Sequence, residues 1–366
     1  MTSTKTTTTG KTKRLRRLFG IGATVGLAGL LGSTFNACYV ARSTWFQAEL
    51  LLAREAIDDV RASGVLTEDQ IRKLDLIADV KAFGEELGLS ATANYDRIAW
   101  EWDRTIWNLS ACAPLSFDSK TWWFPVVGTV PYLGFFRRQD ANKWLDRLSE
   151  EGLDVYLRTA GAYSTLGYFE DPILPGMLEW ENDALANTVL HEMVHATVWI
   201  RGSVAFNESL ASFVGNEASK DYLIAKHGPE ADEVRESEER RADRRAWRSL
   251  QQELFGDLNS VYANPTLSPA DKRLMKEHLF NTLVNRVERI PFHHPERFVD
   301  AATNGTWNNA RLMQFKAYNS YQQEFGALLQ SVDGNYVQFL GKVNEIVSGA
   351  SDPFEALLDA TRVQNF

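Results

Sequence analysis

Residues 191–195 read His-Glu-Met-Val-His, the pattern HExxH. On a helix, side chains four residues apart lie on one face, so His191 and His195 can offer two imidazole nitrogens to one metal ion. Glu192 is rotated by about 100° from His191 and can reach an open metal position without ligating it. This is the arrangement of a zincin, in which metal-activated water attacks a peptide bond and the glutamate acts as general base. We therefore predict a bound Zn²⁺ ion and Glu192 as the catalytic residue.

The motif must be completed by a third ligand. The extended pattern HExxHxxGxxH is excluded, because its Gly and third His positions are occupied by Val198 and Arg201. The other zincin arrangement takes a glutamate from a second helix, and two glutamates, Glu208 and Glu217, follow the turn signal at Gly202.

The register of two antiparallel helices favours Glu208. His195 lies seven residues before Gly202 and Glu208 six after it, so the two come level if the helices meet there. Helix axes 8–10 Å apart allow such a side chain to complete the site. Glu217 lies more than two turns further along, so we predict His191, His195 and Glu208 as the metal ligands.

Most of the chain shows helical periodicity. Asn182 or Asp183 is a credible N-cap for the motif helix, and from Asp183 nearly everything is predicted to be helical, with loops near 264–268 and 291–295. The charged stretch 230–248 reads as a solvated helix face. Apolar spacing over 39–89 predicts two or three further helices, interrupted at Ser63-Gly64. We therefore predict four parts: a helical part over 39–110, a strand-rich part over 121–160, the zinc helices over 183–226 and a helical C-terminal part over 230–366.

The strand-rich part carries short strands over 121–136, a helix over 139–150 and a strand over 153–157. The predicted class is α+β, predominantly helical, as a single domain over 38–366. Phe124–Phe136 either pairs with an extended peptide as an edge strand or only packs its aromatic side chains into the core.

Residues 1–37 have the composition of an export signal. They contain six basic residues and no acid, followed by the uncharged run Leu18–Leu31. Ala37-Cys38 resembles the end of a bacterial lipobox, which predicts Cys38 as a lipid attachment point on a membrane-anchored envelope protein that faces the periplasm. Phe35 and Asn36 depart from the usual lipobox residues, and the alternative is an uncleaved anchor.

The charge balance excludes one class of partner. The net charge is −9 over 366 residues, and because the first 37 carry +6, the remainder carries −15. A nucleic-acid binder normally shows a basic excess, so no nucleic-acid partner is expected. Two cysteines cannot form a disulfide scaffold, and Cys112 is expected to be a small buried apolar side chain.

The segment FNESLASFV (206–214) looks like the NExxA element of gluzincin peptidases. More closely, the chain is similar to a bacterial putative aminopeptidase family of envelope lipoproteins. The resembling segments are Ala37-Cys38, FPVVGTVPYLGFF (124–136), GLDVYLRTAGAYSTLGYFEDPIL (152–174), HEMVHATVWIRGSVAFNESLASFVG (191–215) and NNARLMQFKAYNSYQQEF (308–325). Leu133 stands where an Arg is commoner. The resemblance implies a zincin-like gluzincin fold and zinc aminopeptidase chemistry on a peptide substrate.

The predicted helix Leu312–Phe325 supplies two tyrosines, Tyr318 and Tyr321, either of which could donate a hydrogen bond to the oxyanion. The resemblance favours Tyr318, although a helical tyrosine is commonly a packing residue. Glu170 and Asp171 are candidates, by position alone, for holding a substrate α-amine, and the alternative is a turn with no catalytic role.

The other histidines, His227, His278 and His293-His294, are expected to be structural or exposed. Two classes of function remain open for the whole chain. One is a zinc peptidase, an aminopeptidase first and an endopeptidase second. The other is a non-catalytic envelope lipoprotein that binds peptides.

Overall fold

A computed structural model describes residues 34–124, 128–160, 170–319 and 321–363. Within these ranges, the side chains of residues 34–38, 315–319 and 363 are outside the description. The described part is mostly helical with small antiparallel sheets, which confirms the predicted α+β class.

The helices, in chain order, are α1 (Thr34–Leu52), α2 (Ile57–Ala62), α3 (Glu68–Glu86), α4 (Arg138–Glu150), α5 (Asn182–Thr197), α6 (Val204–His227), α7 (Asp232–Ala263), α8 (Pro269–Asn281), α9 (Leu283–Val287), α10 (Pro295–Thr303), α11 (Asn309–Asn319), α12 (Gln322–Gln330), α13 (Tyr336–Val347) and α14 (Pro353–Val363). The strands are β1 (Glu55–Ala56), β2 (Arg97–Ile98), β3 (Ile106–Cys112), β4 (Trp122–Phe124), β5 (Gly128–Val130), β6 (Leu133–Phe135) and β7 (Asp154–Ala160). None of the helices in the described part is long and apolar enough to cross a membrane.

The largest sheet is three-stranded, in the order β6-β3-β7, and both pairings are antiparallel. Its central strand pairs with β7 from Ile106 opposite Ala160 to Cys112 opposite Asp154. Strands β4 and β5 form a separate hairpin, and β1 pairs with β2. Helices α4 and α11 both contact β3 and β7, so the sheet is held by the helices around it.

The prediction of a helical part over 39–110 is wrong at its end, because the described helices there stop at Glu86 and β3 begins at Ile106. The sequence IWNLSAC shows no strict alternation, since Leu109 and the three residues after it are all buried. A short apolar run without a period cannot be distinguished from a buried helix segment by pattern alone. The predicted break at Ser63-Gly64 is confirmed, since α2 ends at Ala62.

The main core surrounds α5. It gathers apolar side chains from α3, α5, α6 and the C-terminal helices α12 to α14, among them Ile77, Leu190, Leu210 and Phe339. A second cluster is formed by apolar side chains of the five successive helices α7 to α11. A third fills the space between the sheet, α4 and the hairpin. The motif helix is therefore enclosed by other elements along most of its length, which fixes its position.

Two further predictions need correction. The stretch 230–248 does form part of α7, but it is not a purely solvated face, because Ser237, Arg241 and Asp243 are buried. Asp243 accepts hydrogen bonds from the backbone N–H groups of His293 and His294, which ties the 288–294 loop to α7. A pattern of alternating charges does not reveal such tertiary contacts.

The predicted single helix Leu312–Phe325 is also wrong. It is divided between α11 and α12, and Tyr321 lies between them with a left-handed φ of 56°. A left-handed residue cannot continue a right-handed helix, so the chain changes direction there. No proline or glycine between 312 and 325 signals this break before Gly326.

Candidate metal centre

Helix α5 holds both motif histidines in its last two turns. The Nε2 atoms of His191 and His195 face one another at 3.1 Å, and the His195 ring lies edge-on to Trp199 with centroids 5.5 Å apart. His195 is buried and His191 is nearly so. The i, i+4 spacing therefore places both imidazoles on one face, as predicted.

The start of this helix differs from the prediction. The N-cap is Glu181, with no side-chain cap hydrogen bond, rather than Asn182 or Asp183. Asp183 is instead buried in the first turn, where its two carboxylate oxygens accept from Arg240 at 3.0 Å and Arg244 at 3.2 Å. A carboxylate at this end also interacts favourably with the helix dipole. These contacts attach α5 to α7.

Helix α6 brings in the glutamate. The chain turns at Gly202, whose φ of +81° suits glycine, and α6 begins two residues later. The carboxylate oxygens of Glu208 then lie 3.4 Å from His191 Nε2 and 3.7 Å from His195 Nε2. The antiparallel helices therefore bring His195 and Glu208 side by side, as the register predicts.

Asn207 fixes the connection between the two helices. Its side-chain oxygen accepts from the backbone N–H of Ile200 at 2.9 Å, and its amide donates to the Ile200 carbonyl at 2.8 Å. Asn207 is fully buried beside Glu208, so these bonds fix where α6 starts relative to α5. Nothing in the sequence pattern indicates this role for Asn207, although it is the first residue of the NExxA element.

The close approach of the helices depends on Gly215. A Cβ atom built there would meet the Asn187 carbonyl oxygen at 2.9 Å and the His191 Cβ at 3.3 Å. The obstacle is backbone, which cannot move aside as a flexible side chain can. A glycine about two helical turns after Glu208 therefore allows α6 to pack directly against α5.

The three donor groups fit a metal ion. One ligand atom from each of His191, His195 and Glu208 lies within 4.8 Å of the others. Zinc bonds of about 2.0–2.1 Å at tetrahedral angles place donor atoms about 3.3 Å apart, close to the observed 3.1, 3.4 and 3.7 Å. Among the side chains that the structure describes, no second group of this kind is found. Glu217 is not part of the cluster.

The charges and the burial of the cluster shift the pKa values of all three donor groups. Burial and the neighbouring His191 lower the pKa of His195 to about 4, so this imidazole is neutral at neutral pH. Burial alone would raise the pKa of Glu208, but its hydrogen bond with His191 and the nearby positive groups lower it. For His191, burial is outweighed by the hydrogen bond with Glu208 and by the charges of Glu208 and Glu192, and its pKa is raised. The cluster thus contains an anionic carboxylate.

Glu192 is buried beside the cluster, and its charge acts on His191. It also acts on Tyr95, whose pKa is raised first by burial, then by Glu192 and Asp171. The Tyr95 hydroxyl is buried without a hydrogen-bond partner among the described residues, and its backbone has a φ of 65°. No sequence signal pointed to Tyr95, which lies about 100 residues from the motif.

Arg158 is a second residue that the sequence did not indicate. It lies on β7, and its charge contributes to lowering the pKa of Glu208. Its Nε atom donates to the side chain of Gln314 on α11 at 3.2 Å. The edge strand β7 and α11 therefore lie near the cluster of His191, His195 and Glu208.

Of the other predicted residues, some have side chains that the structure describes and others do not. Tyr318 lies on α11, which packs against α6 and β7, but its side chain is outside the described residues, as is that of Cys38 on α1. The Tyr321 ring stacks on Phe354 at 4.5 Å, which is a packing role. Cys112 is buried and unpaired, as expected.

Glu170 and Asp171 are held by structural contacts. The Glu170 carbonyl accepts from Arg54 at 2.7 Å, while the N–H of Asp171 donates to the Asn94 side chain at 3.0 Å. The Asp171 carbonyl accepts from the backbone of Tyr95 at 2.8 Å. These contacts agree with the interpretation of this segment as a turn. Residues 161–169, which precede it, lie outside the described residues.

The fold and site define a mostly helical α+β protein whose paired helices carry two histidines and a glutamate able to hold a metal ion. The profile of a family described as "putative aminopeptidase" matches residues 38–356, and the chain belongs to this family. The match leaves the basic and apolar residues 1–37 outside it. No curated protein and no solved structure matches the chain.

Proposed function

We propose that this protein is a zinc-dependent aminopeptidase that removes N-terminal residues from peptides. The observation that carries the proposal is the convergence of His191, His195 and Glu208, with Glu192 buried beside them. Membership of the aminopeptidase family supports the same activity. The pairing of an HExxH helix with a glutamate-bearing helix also supports a zincin-like fold of the gluzincin type.

Zinc is the metal that suits two imidazoles and one carboxylate on a tetrahedral site. When bound there, it would lower the pKa of a water molecule and polarise the carbonyl under attack. In this proposal Glu192 would accept the proton of the attacking water and pass it to the nitrogen of the leaving amine. The negative Glu208 offsets part of the positive charge at the site.

Two elements beside the cluster are proposed to hold the substrate. Both β6 and β7 are edges of the three-stranded sheet, but β7 carries Arg158, whose charge reaches Glu208. We assign pairing with an extended peptide to β7, because main-chain hydrogen bonds to an edge strand hold a peptide in extended form. In β6, Leu133 and Phe135 are buried, which supports packing as the role of that strand. From α11, Tyr318 would donate to the oxygen of the carbonyl under attack.

The proposed location is the bacterial cell envelope. Cys38 would carry the lipid after removal of residues 1–37, and the body would face the periplasm. The family match begins at Cys38, which supports a boundary at this position. An uncleaved apolar anchor would lead to the same orientation.

The test compares peptides with free and with acetylated N-termini. The full chain, purified in detergent, is assayed with zinc, with a chelator and as Glu192→Gln, while a Glu217→Gln variant serves as the matched control. We expect zinc-dependent release of the first residue from free N-termini only, lost in Glu192→Gln and kept in Glu217→Gln. Cleavage of acetylated peptides would instead indicate an endopeptidase. Absence of any cleavage by the zinc-loaded protein would favour a peptide-binding protein.

A further inference from the structure

The first described helix is attached to the body close to the predicted anchor. The Tyr39 ring packs against Phe124, Phe135 and Trp144 with centroids 6.1, 5.2 and 5.8 Å apart. Its hydroxyl donates to the carbonyl of Gly134 at 3.1 Å. Tyr39 directly follows Cys38, so the point at which a lipid or an apolar anchor joins the body is fixed beside the β4–β5 hairpin.

The hairpin presents an apolar side chain outward at this point. Along β4, Trp122 and Phe124 pack against the cluster between the sheet and α4, and Trp123, which alternates with them, points to the opposite face. Trp123 is 69% exposed, the highest value among the exposed large apolar side chains of the described residues. A tryptophan ring with one apolar and one polar edge is favoured at the boundary between lipid and water.

Positive charge surrounds the start of α4, where α1 contacts it through Arg42. The Asp140 carboxylate pairs with Arg42, one helical turn beyond Tyr39, and lies within 4.0 Å of Arg137 and Lys143. Arg138 is exposed beside them, with its guanidinium over the Trp107 ring at 5.0 Å. Four cations against one carboxylate make a local charge of +3 on a body whose total is −15. Such a patch attracts anionic lipid headgroups, because lysine and arginine side chains are drawn to a negatively charged membrane surface.

We propose that this face, comprising Trp123 and the basic group Arg42, Arg137, Arg138 and Lys143, rests on the surface of an anionic bilayer. The three observations are independent: where the anchor joins, which side chain is exposed there, and the sign of the charge around it. A lone exposed tryptophan would need no explanation. The inference rests on the proposed membrane attachment and adds that the body is held in one orientation rather than tethered loosely.

The test is quenching of tryptophan fluorescence by brominated lipids. The full chain is reconstituted into vesicles of phosphatidylcholine and phosphatidylglycerol with brominated acyl chains, as wild type, Trp123→Phe and Trp180→Phe. Trp180 is the control, since it packs against the main core and not against the cluster under the hairpin. We expect Trp123→Phe to lose most of the quenching and Trp180→Phe to retain it, with weaker quenching when phosphatidylglycerol is replaced by phosphatidylcholine.

Flotation of the same vesicles distinguishes failure of the proposed membrane attachment from failure of the proposed docking face. If the protein does not float with them, the membrane attachment itself is wrong, and the docking face with it. If it floats but Trp123→Phe is quenched as strongly as the wild type, the attachment stands and the docking face is overturned. Peptidase activity of Trp123→Phe equal to the wild type would show that the substitution leaves the fold intact.

Discussion

At the scale of single residues, the site depends on buried polar side chains that are not ligands. Asn207 bonds to both backbone groups of Ile200 and so sets the position of its neighbour Glu208. Replacing it leaves the partly buried N–H of Ile200 without its partner, which is costly, and leaves the Ile200 carbonyl with only the N–H of Ser203 at 3.3 Å. The position of the proposed ligand Glu208 is therefore set by a neighbour that is not itself part of the cluster.

Asn207→Ala is expected to reduce both stability and zinc affinity. Loss of the two hydrogen bonds should lower the free energy of unfolding by about 2–3 kcal/mol, as measured by urea denaturation. The matched control is Asn187→Ala, which removes one bond between the same helices, to Asn216 at 2.9 Å. If Asn187→Ala weakens zinc binding as much as Asn207→Ala, the positioning role of Asn207 is wrong.

At the scale of elements, the centre is an antiparallel helix pair that must be braced at both ends. The Gly202 turn and Asn207 fix one end, while Asp183 with Arg240 and Arg244 ties the start of α5 to α7. Between them, Gly215 permits the close contact with the backbone of Asn187. Interhelical distance and register together decide whether Glu208 reaches both histidines.

Gly215→Ala is expected to separate α5 from α6. The added methyl group meets a backbone carbonyl, so overpacking should cost about 1–3 kcal/mol, and the shift should weaken zinc binding as well. Gly256→Ala is the control, since nothing lies within 4 Å of a Cβ atom there, and it should be neutral or stabilising by up to about 1 kcal/mol. Unchanged zinc affinity in Gly215→Ala, measured by competition with a chromophoric chelator, would contradict this account.

At the scale of the whole molecule, the sequence predicted the convergence of His191, His195 and Glu208 better than the fold around them. The helix pair followed from local spacing, because HExxH, the Gly202 turn and Glu208 lie within 18 residues. Strand β3, the break at Tyr321 and the approach of Tyr95 and Arg158 depend on contacts between segments far apart in the chain. No periodicity reports such contacts, so these features could not be predicted.

The two thiols provide a prediction for the intact protein. Burial, with the charge of Asp154, raises the pKa of the Cys112 thiol to about 12, so it stays protonated and enclosed near pH 8. Protein extracted from membranes should therefore show no reactive thiol when native and one after denaturation, as counted with a chromogenic disulfide reagent. Two thiols after denaturation would show that Cys38 carries no lipid.

The central claim is that His191, His195 and Glu208 hold one zinc ion. It is tested most directly by the metal content of the purified full chain after zinc loading and gel filtration, compared across wild type, Glu208→Gln and Glu217→Gln. The account predicts one zinc per chain in the wild type and in Glu217→Gln, and a large loss in Glu208→Gln. A wild-type chain without stoichiometric zinc, or full retention in Glu208→Gln, would contradict it.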